Sequence, residues 1–313
     1  MFERRACVRG IFAACLFLLL PGLLPAATLE RHTVTVDGHP LAVWSKTPEA
    51  PRAVMLLVHG RTWSTRPDFD LQVAGEDLSL MDGLVDVGIA AYGVDLRGYG
   101  ETPRDDSGWL TPDRAAEDVA AVLGWLLRQH PSLGTPYLFG WSYGSMVAQL
   151  VGQRHPASVA GLVLFGYPVR PGFDRNPENV APLRAPTTRE AALSDFLLPG
   201  TISDAAMNAF ADAALDSDPV RTDWRQLEQW RALNGAAVTS PVLLLQAAHD
   251  PLALPDMHAQ LFTALATDDK VWAVIPGGDH AAFMETPRGY FLSLIDAFVF
   301  RPRTALSAQT ASP

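Results

Sequence analysis

Cysteine is nearly absent from this chain. Only two of the 313 residues are cysteine, Cys7 and Cys15, and both precede residue 28. A mature chain that begins at residue 28 would contain no thiol, so it would form no disulfide and use no cysteine nucleophile. Such a composition suits an oxidising compartment such as a bacterial periplasm.

Positive charge is also scarce. The chain has 24 basic and 34 acidic residues, a formal net charge of −10, and no run of Lys and Arg beyond the first nine residues. Nucleic acids and anionic membrane surfaces are bound through basic patches, so neither is an expected partner.

Several cofactor and metal motifs are missing. No P-loop signature and no H-E-x-x-H pair occur. The segment Gly98-Tyr99-Gly100 begins like a dinucleotide fingerprint, but Pro103 stands where its third glycine is needed. We therefore expect no cofactor and no bound metal.

The first 27 residues have the pattern of a secretory signal peptide. Arg4, Arg5 and Arg9 precede an apolar stretch over Ile11–Leu24, and small residues follow up to Ala27. The apolar stretch is short against the ~20 residues that span a bilayer, which makes an uncleaved anchor the lesser alternative. The pattern predicts an exported protein, periplasmic or secreted, with no stable membrane span after cleavage.

The rest of the chain alternates short apolar runs with helical patterns. An opening hairpin turns at Asp37-Gly38. Six runs of strand type then follow: Ala53–Val58, Ile89–Val94, Tyr137–Phe139, Val159–Phe165, Val242–Leu245 and Val271–Ile275. Helices are predicted over Pro112–His130, Ser145–Arg154 and Arg288–Phe300. This order predicts an α/β fold with a doubly wound, mostly parallel sheet.

One interval interrupts the alternation. Residues 169–240 contain no convincing strand and are too many for a loop in a compact domain. We interpret them as a helical cap inserted into a core formed by residues 28–168 and 241–300. Residues 301–313 are rich in Pro, Ser, Thr and Ala and are predicted to be a disordered tail.

The segment Gly140-Trp141-Ser142-Tyr143-Gly144 lies between a predicted strand and a predicted helix. This is the context of a nucleophile elbow, in which a sharp, strained turn exposes a serine hydroxyl. Glycines two residues before and after the serine let helix and strand pass closely. Ser142 is therefore the candidate nucleophile.

A serine needs a base to take its proton, and an acid must orient that base. On such a sheet the partners follow in the order Ser, acid, His, each after a strand. Asp250 and His280 satisfy this order. Asp279, which adjoins His280, is the alternative acid. His249, which adjoins Asp250, and His59 are the alternative bases.

The oxyanion hole is expected to use two backbone N–H groups, those of Tyr143 and Arg61. The first follows the nucleophile, and the second lies on the loop after the third strand, where Gly60 permits a tight turn. His59 is interpreted as a residue that holds this loop.

These motifs together resemble the α/β-hydrolase superfamily. The resemblance covers the whole predicted mature chain, from His59-Gly60 through the turn Asp95–Gly100 and the elbow to His280. It implies an eight-stranded sheet, a cap and catalysis without a cofactor. The serine nucleophile departs from haloalkane dehalogenases and epoxide hydrolases, and no H-G-G-P-G or H-G-G-G pattern is present.

We therefore expect an exported serine hydrolase that cleaves a small or medium-sized carboxylic ester. Four aromatic residues are predicted to form an apolar pocket: Trp63, Trp141, Trp224 and Trp230. An amidase, an aminopeptidase or a cofactor-free perhydrolase on the same triad is the alternative, and a non-catalytic binding protein is a third. An acidic anchor for a substrate amine would favour the aminopeptidase, and the candidates are Glu178, Asp195, Asp212 and Asp218.

Overall fold

The computed structural model describes residues 27–168 and 184–302. The predicted signal peptide up to residue 26, residues 169–183 of the predicted cap and the tail from residue 303 lie outside these ranges. Within the described ranges, no helix is long and apolar enough to cross a membrane.

A single eight-stranded sheet forms the centre of the described chain. Its strands are β1 Glu30–Val36, β2 His39–Lys46, β3 Ala53–Val58, β4 Ile89–Val94, β5 Tyr137–Trp141, β6 Leu162–Phe165, β7 Val242–Ala247 and β8 Lys270–Ile275. Their order across the sheet is β1-β2-β4-β3-β5-β6-β7-β8. The β1–β2 and β2–β4 pairings are antiparallel and all others are parallel, which confirms the predicted sheet.

The hairpin turns as expected, because Asp37 and Gly38 both have positive φ, at 50° and 78°. The predicted strands differ from the observed ones mainly at their ends. The largest difference is at Val159, which precedes β6 rather than belonging to it. Val159 is buried in the core although it lies outside the strand. Its apolar side chain is therefore explained by core burial rather than by strand pairing.

Helices cover both faces of the sheet. They are α1 Thr65–Phe69, α2 Leu80–Asp86, α3 Pro112–Gln129, α4 Tyr143–Arg154, α5 Arg189–Leu193, α6 Asp204–Ser217, α7 Pro255–Ala264 and α8 Arg288–Phe300. The core on one face includes side chains of α3, α4 and α7, and the core on the other includes those of α1, α2 and α8. The Thr111 side chain caps the N-terminus of α3, since it accepts a hydrogen bond from the Arg114 N–H.

Between β6 and β7, the described residues from 184 onward contain α5, α6 and two 3-10 helices, Leu227–Ala232 and Gly235–Ala237. The α6 helix packs its apolar face toward the loop after β3. Phe210 of α6 meets Trp63 edge-on, with ring centroids 6.3 Å apart. This contact brings the interval over the carboxyl ends of the parallel strands, where active sites of open α/β sheets form.

Candidate active site

Ser142 occupies a strained backbone position between β5 and α4. Its φ is 54° and its ψ is −121°, a conformation that residues with a Cβ rarely adopt. The flanking glycines allow it: a Cβ on Gly140 would lie 2.2 Å from the Gly144 carbonyl oxygen. A Cβ on Gly144 would lie equally close to the Val58 carbonyl oxygen. The backbone of β5, the turn and β3 thus leave no room for side chains around the serine.

His280 and Asp250 meet beside this turn. His280 Nδ1 and Asp250 Oδ2 are 2.7 Å apart, and both side chains are buried. The other carboxylate oxygen, Oδ1, accepts hydrogen bonds from the N–H groups of Leu252 and Ala253 at 2.8 and 3.2 Å. A carboxylate only accepts, so Nδ1 carries a ring hydrogen, and in the neutral ring Nε2 then holds the lone pair that a base requires.

Gly166, directly after β6, makes room for this pair. Its φ is 60°, and a Cβ there would lie 2.9 Å from His280 Cε1 and 3.4 Å from Asp250 Oδ2. Sequence reasoning missed this residue, because a glycine after a strand is a common turn signal and its contact with two distant residues leaves no local pattern.

Trp141 holds the base from the nucleophile's side. Its indole N–H donates a 2.7 Å hydrogen bond to the His280 carbonyl oxygen, and the two rings lie 5.3 Å apart between centroids. The residue next to Ser142 therefore fixes the loop that carries His280.

The loop after β3 brings the Arg61 backbone to the same place. His59 is fully buried, its Nε2 accepts from the Leu96 N–H, and its Nδ1 therefore donates to the Gly60 carbonyl oxygen. Burial lowers the pKa of His59 to about 4, so the ring is neutral at physiological pH. This geometry fits the expected role of His59 as a residue that holds the loop.

Tyr99 fixes the next carbonyl of that loop. Its hydroxyl donates to the carbonyl oxygen of Arg61 and accepts from the indole N–H of Trp224 at 2.7 Å. Tyr99 lies in the turn that was matched to the superfamily, but the sequence assigned it no role, since its partners are 38 and 125 residues away.

Several of the candidate residues line one cavity of about 340 Å³. It is lined by Gly60, Arg61, Thr62, Trp63, Trp141, Ser142, Tyr143, Pro168, Asp195, Leu252 and His280. Ser142, His280 and both residues with candidate oxyanion N–H groups thus line the same pocket. Trp224 and Trp230 are not among its lining residues. They pack behind it, against the ring of Tyr143, at 5.4 and 5.7 Å between centroids.

Asp195, between α5 and α6, adds a carboxyl group to this mostly apolar lining. Burial raises its pKa to about 6, against the opposing effects of the Trp63 indole N–H and the charge of His280. The other candidate acids lie elsewhere. Asp218 accepts from the backbone N–H groups of Ser64 and Gly100, Asp212 pairs with Arg189, and Glu178 lies outside the described residues.

The residue before the base ties the same segment to the core. Asp279 Oδ2 accepts from the N–H groups of Leu197 and Leu198 at 2.6 and 2.8 Å. Glu285 accepts from the Asp279 N–H and from the Thr201 hydroxyl, and burial raises its pKa to about 7. Glu285 is therefore a buried part of this junction.

Within residues 27–168 and 184–302, no group of three or more His, Cys, Asp or Glu side chains is arranged to hold a metal ion. The arrangement of Ser142, His280 and Asp250 is suited to nucleophilic acyl transfer.

Comparison with known families decides the affiliation. A family model described as serine aminopeptidase, S33, matches residues 49–287, well over half of the chain. The chain belongs to this family. As a member of the serine aminopeptidase S33 family it is a hydrolase, and the resemblance to α/β-hydrolases is confirmed.

Curated relatives of this S33 chain are distant. It is similar to the biotin biosynthesis bifunctional protein BioHC of Teredinibacter turnerae, with 23% identity over 295 residues, 83% of this chain and 47% of the relative. The BioHC of Cellvibrio japonicus is 27% identical over 268 residues, 79% of this chain and 48% of the relative. The chain thus spans about half the length of the curated relatives it matches.

Solved structures share the fold of this S33 chain. The thioesterase domain from the curacin biosynthetic pathway has 16% identity and a TM-score of 0.61, covering 86% of this chain and 99% of that domain. The CarC serine hydrolase of carbazole degradation has 18% identity and a TM-score of 0.60, covering 87% and 99%. An α/β-hydrolase fold protein from Chitinophaga pinensis has 16% identity and a TM-score of 0.61, covering 88% and 99%.

Proposed function

We propose that this hydrolase is an exported serine esterase that cleaves a small or medium-sized carboxylic ester through an acyl-enzyme. One observation carries the proposal: the 2.7 Å contact between His280 and Asp250, at a pocket that is also lined by Ser142 on its strained turn.

In the proposed reaction, Ser142 Oγ attacks the acyl carbon while His280 Nε2 accepts the hydroxyl proton. Asp250 holds the ring and stabilises its positive charge. The N–H groups of Arg61 and Tyr143 donate to the oxyanion. His280 then gives the proton to the leaving alcohol. Water next attacks the acyl-enzyme while His280 accepts its proton, and His280 returns that proton to Ser142 as the acid leaves. Since the base must be neutral, activity is expected to be lost in acid, where the imidazole is protonated.

The pocket supports a substrate of limited size. Its volume of about 340 Å³ is at the low end of ligand sites, and Trp63, Trp141 and Leu252 make much of its lining apolar. A polymer would need an open groove instead.

The test combines covalent labelling with turnover. Wild-type and Ser142→Ala protein are treated with a fluorophosphonate probe and assayed on 4-nitrophenyl esters of increasing chain length. We expect labelling only of the wild type, and a chain-length optimum set by the pocket. If well-folded wild type is neither labelled nor active, the esterase proposal fails, and a non-catalytic binding protein becomes the better hypothesis.

A second candidate, an aminopeptidase, is favoured by Asp195. A carboxyl group in the pocket can anchor a substrate amine, and the family is described as serine aminopeptidase. Comparing leucine 4-nitroanilide with a 4-nitrophenyl ester of matched chain length separates the two. Preferential cleavage of the anilide, lost in Asp195→Asn, would support the aminopeptidase over the esterase.

Export is proposed from the leader-like pattern of residues 1–27. Expression of the full chain in a Gram-negative host, followed by fractionation and N-terminal sequencing, tests it. Mature protein that starts near Thr28 in the periplasm supports export. Full-length protein in the cytoplasm contradicts it.

A further inference from the structure

Beside the catalytic pocket lies a second cavity of about 280 Å³ whose lining is rich in arginine. Its described lining residues are Arg61, Arg184, Ala185, Arg221, Thr222 and Asp223. Arg61 lines both cavities, so the second one adjoins the pocket that contains Ser142.

The one acid in this lining already has a partner. Asp223 Oδ2 pairs with the Arg225 guanidinium at 2.5 and 2.7 Å. Among the residues that the structure describes, no carboxylate lies within ion-pairing distance of Arg61, Arg184 or Arg221, although the chain as a whole is acidic. Three exposed arginines therefore line one small cavity without an ion-pair partner among the described residues.

The backbone that carries these arginines is fixed. The Arg221 N–H donates to the Ala185 carbonyl oxygen at 2.8 Å, and the Arg221 carbonyl oxygen accepts from the Arg104 guanidinium. The next residue, Thr222, bonds through its hydroxyl to the Gly98 carbonyl oxygen at 2.6 Å. Pro186 and Val220 form a short antiparallel bridge that holds the two segments side by side.

Two of the charges also reach the catalytic pocket. The Arg61 guanidinium lies 5.2 Å from the ring centroid of Tyr143. The positive charges of Arg61 and Arg221 both lower the pKa of the Tyr143 hydroxyl, against the larger rise that burial causes. The Arg61 guanidinium thus lies close to the residue that follows the nucleophile, and the charge of Arg221 also reaches its hydroxyl.

We propose that Arg61, Arg184 and Arg221 form an anion subsite that selects acyl substrates carrying an oxygen-acid group, a carboxylate or a phosphate-type group, away from the scissile bond. This inference rests on the proposed function, since it names the substrate class of the same pocket. Guanidinium groups match the geometry of both kinds of oxyanion, and uncompensated cations next to a reaction centre attract them.

The turnover arm compares two esters of equal chain length, 4-nitrophenyl valerate and the mono-4-nitrophenyl ester of glutaric acid, which ends in a carboxylate. We expect wild type to prefer the anionic ester in kcat/KM. Arg221→Gln should lower this preference about three- to tenfold, the range expected for one partly exposed charge-assisted contact. Arg184→Gln is a second variant, and Arg128→Gln, an exposed arginine on α3, is the matched control that should keep the preference.

Because the arginines are exposed, 0.5 M NaCl should reduce the preference of wild type for the anionic ester. The 4-nitrophenyl ester of 4-phosphonobutanoic acid, which ends in a phosphonate, distinguishes a carboxylate from a phosphate-type group as the preferred anion. A higher kcat/KM than for the glutarate ester assigns the subsite to phosphate-type groups, and a lower one assigns it to carboxylates.

The binding arm uses Ser142→Ala protein, which measures the subsite without turnover. Calorimetric titration should give a lower Kd for the glutarate ester than for the valerate ester, and adding Arg221→Gln should remove the difference. Turnover of both esters at equal kcat/KM would overturn the subsite and leave the esterase standing. Arginine-dependent binding of the anionic ester by a protein that hydrolyses neither would support the subsite and overturn the esterase.

Discussion

The indole N–H of Trp63 donates a 2.8 Å hydrogen bond to Oδ2 of Asp195. This contact joins the loop after β3, which carries one candidate oxyanion donor, to the connection between α5 and α6. It also places a partly buried carboxyl group near His280, whose charge opposes the rise that burial causes in the pKa of Asp195.

Asp195→Asn should stabilise the protein more at pH 8 than at pH 4. Burial raises the pKa of Asp195 to about 6, so the folded state holds a proton that the unfolded state releases above about pH 4. That contribution to stability is present at low pH and is lost as pH rises through about 6, whereas the amide keeps an acceptor for Trp63 and does not titrate. Urea unfolding at the two pH values measures the difference. Asp212→Asn, at an exposed acid paired with Arg189, is the control, and an equal change in both variants would refute the effect.

Asp250→Asn should nearly abolish turnover without unfolding the protein. The amide oxygen can keep the N–H groups of Leu252 and Ala253, while the amide nitrogen faces His280 Nδ1. The ring hydrogen then moves to Nε2, which can no longer take the serine proton. A fall in kcat on the order of 10⁴ is expected. Steady-state kinetics at pH 8 measure it, with the exposed Asp256→Asn as control, and a loss below tenfold would argue against Asp250 as the acid.

Gly166→Ala should disable the base through a single methyl group. The added Cβ would approach His280 Cε1 to 2.9 Å and push the ring from its place. Because displacements of about 1 Å cost about 10² in rate, kcat/KM should fall about a hundredfold.

Gly134→Ala is the matched control for that substitution. Gly134 has a similar positive φ, 73°, but a Cβ there meets nothing within 4 Å. Both variants therefore place an alanine at a positive φ, but only Gly166→Ala brings a methyl group against His280. If Gly134→Ala loses as much activity as Gly166→Ala, the loss at Gly166 does not come from the His280 contact.

Asp68→Asn should stabilise the protein more at high pH than at low pH. Asp68 is buried, and burial together with the charges of Asp195, Asp218 and Asp95 raises its pKa well above the ordinary value, while the Gly60 N–H opposes this. The folded state then binds a proton that the unfolded state releases above about pH 4. That contribution to stability is present at low pH and is lost as pH rises toward the pKa of the folded state.

Asparagine removes the proton linkage and retains an acceptor for Gly60. The free energy of unfolding of Asp68→Asn relative to wild type should therefore increase from pH 5 to pH 8. Urea unfolding at the two pH values measures it. A difference between the two proteins that does not change with pH would show that Asp68 is not protonated in the fold.

The fold was predictable because its signals are local. Apolar runs such as Ala53–Val58 and Ile89–Val94 coincide with β3 and β4, and the glycines around Ser142 mark the turn from five adjacent residues. Those features follow from strand burial and backbone sterics, which act over a few residues.

The supports of the site were not predictable, since they depend on distant partners. Trp63 and Asp195 are 132 residues apart, and Trp224 reaches Tyr99 over 125. Gly166 makes room for a histidine that lies more than 100 residues later. Nothing in the neighbouring sequence of these residues reports such contacts, so four acids in the interval could be named as candidates but not ranked.

The two hydrogen bonds from Leu197 and Leu198 to Asp279 have a consequence for the modularity of this enzyme. In chain order, the segment between β6 and β7 looks like a removable insert. In three dimensions, the segment donates hydrogen bonds to Asp279 and Glu285, which lie on the loop that carries His280. A chimera that exchanges the segment alone would remove the donors to Asp279 Oδ2 and Glu285 Oε1, two buried carboxylates close to His280. The transplantable unit therefore includes residues 279–285.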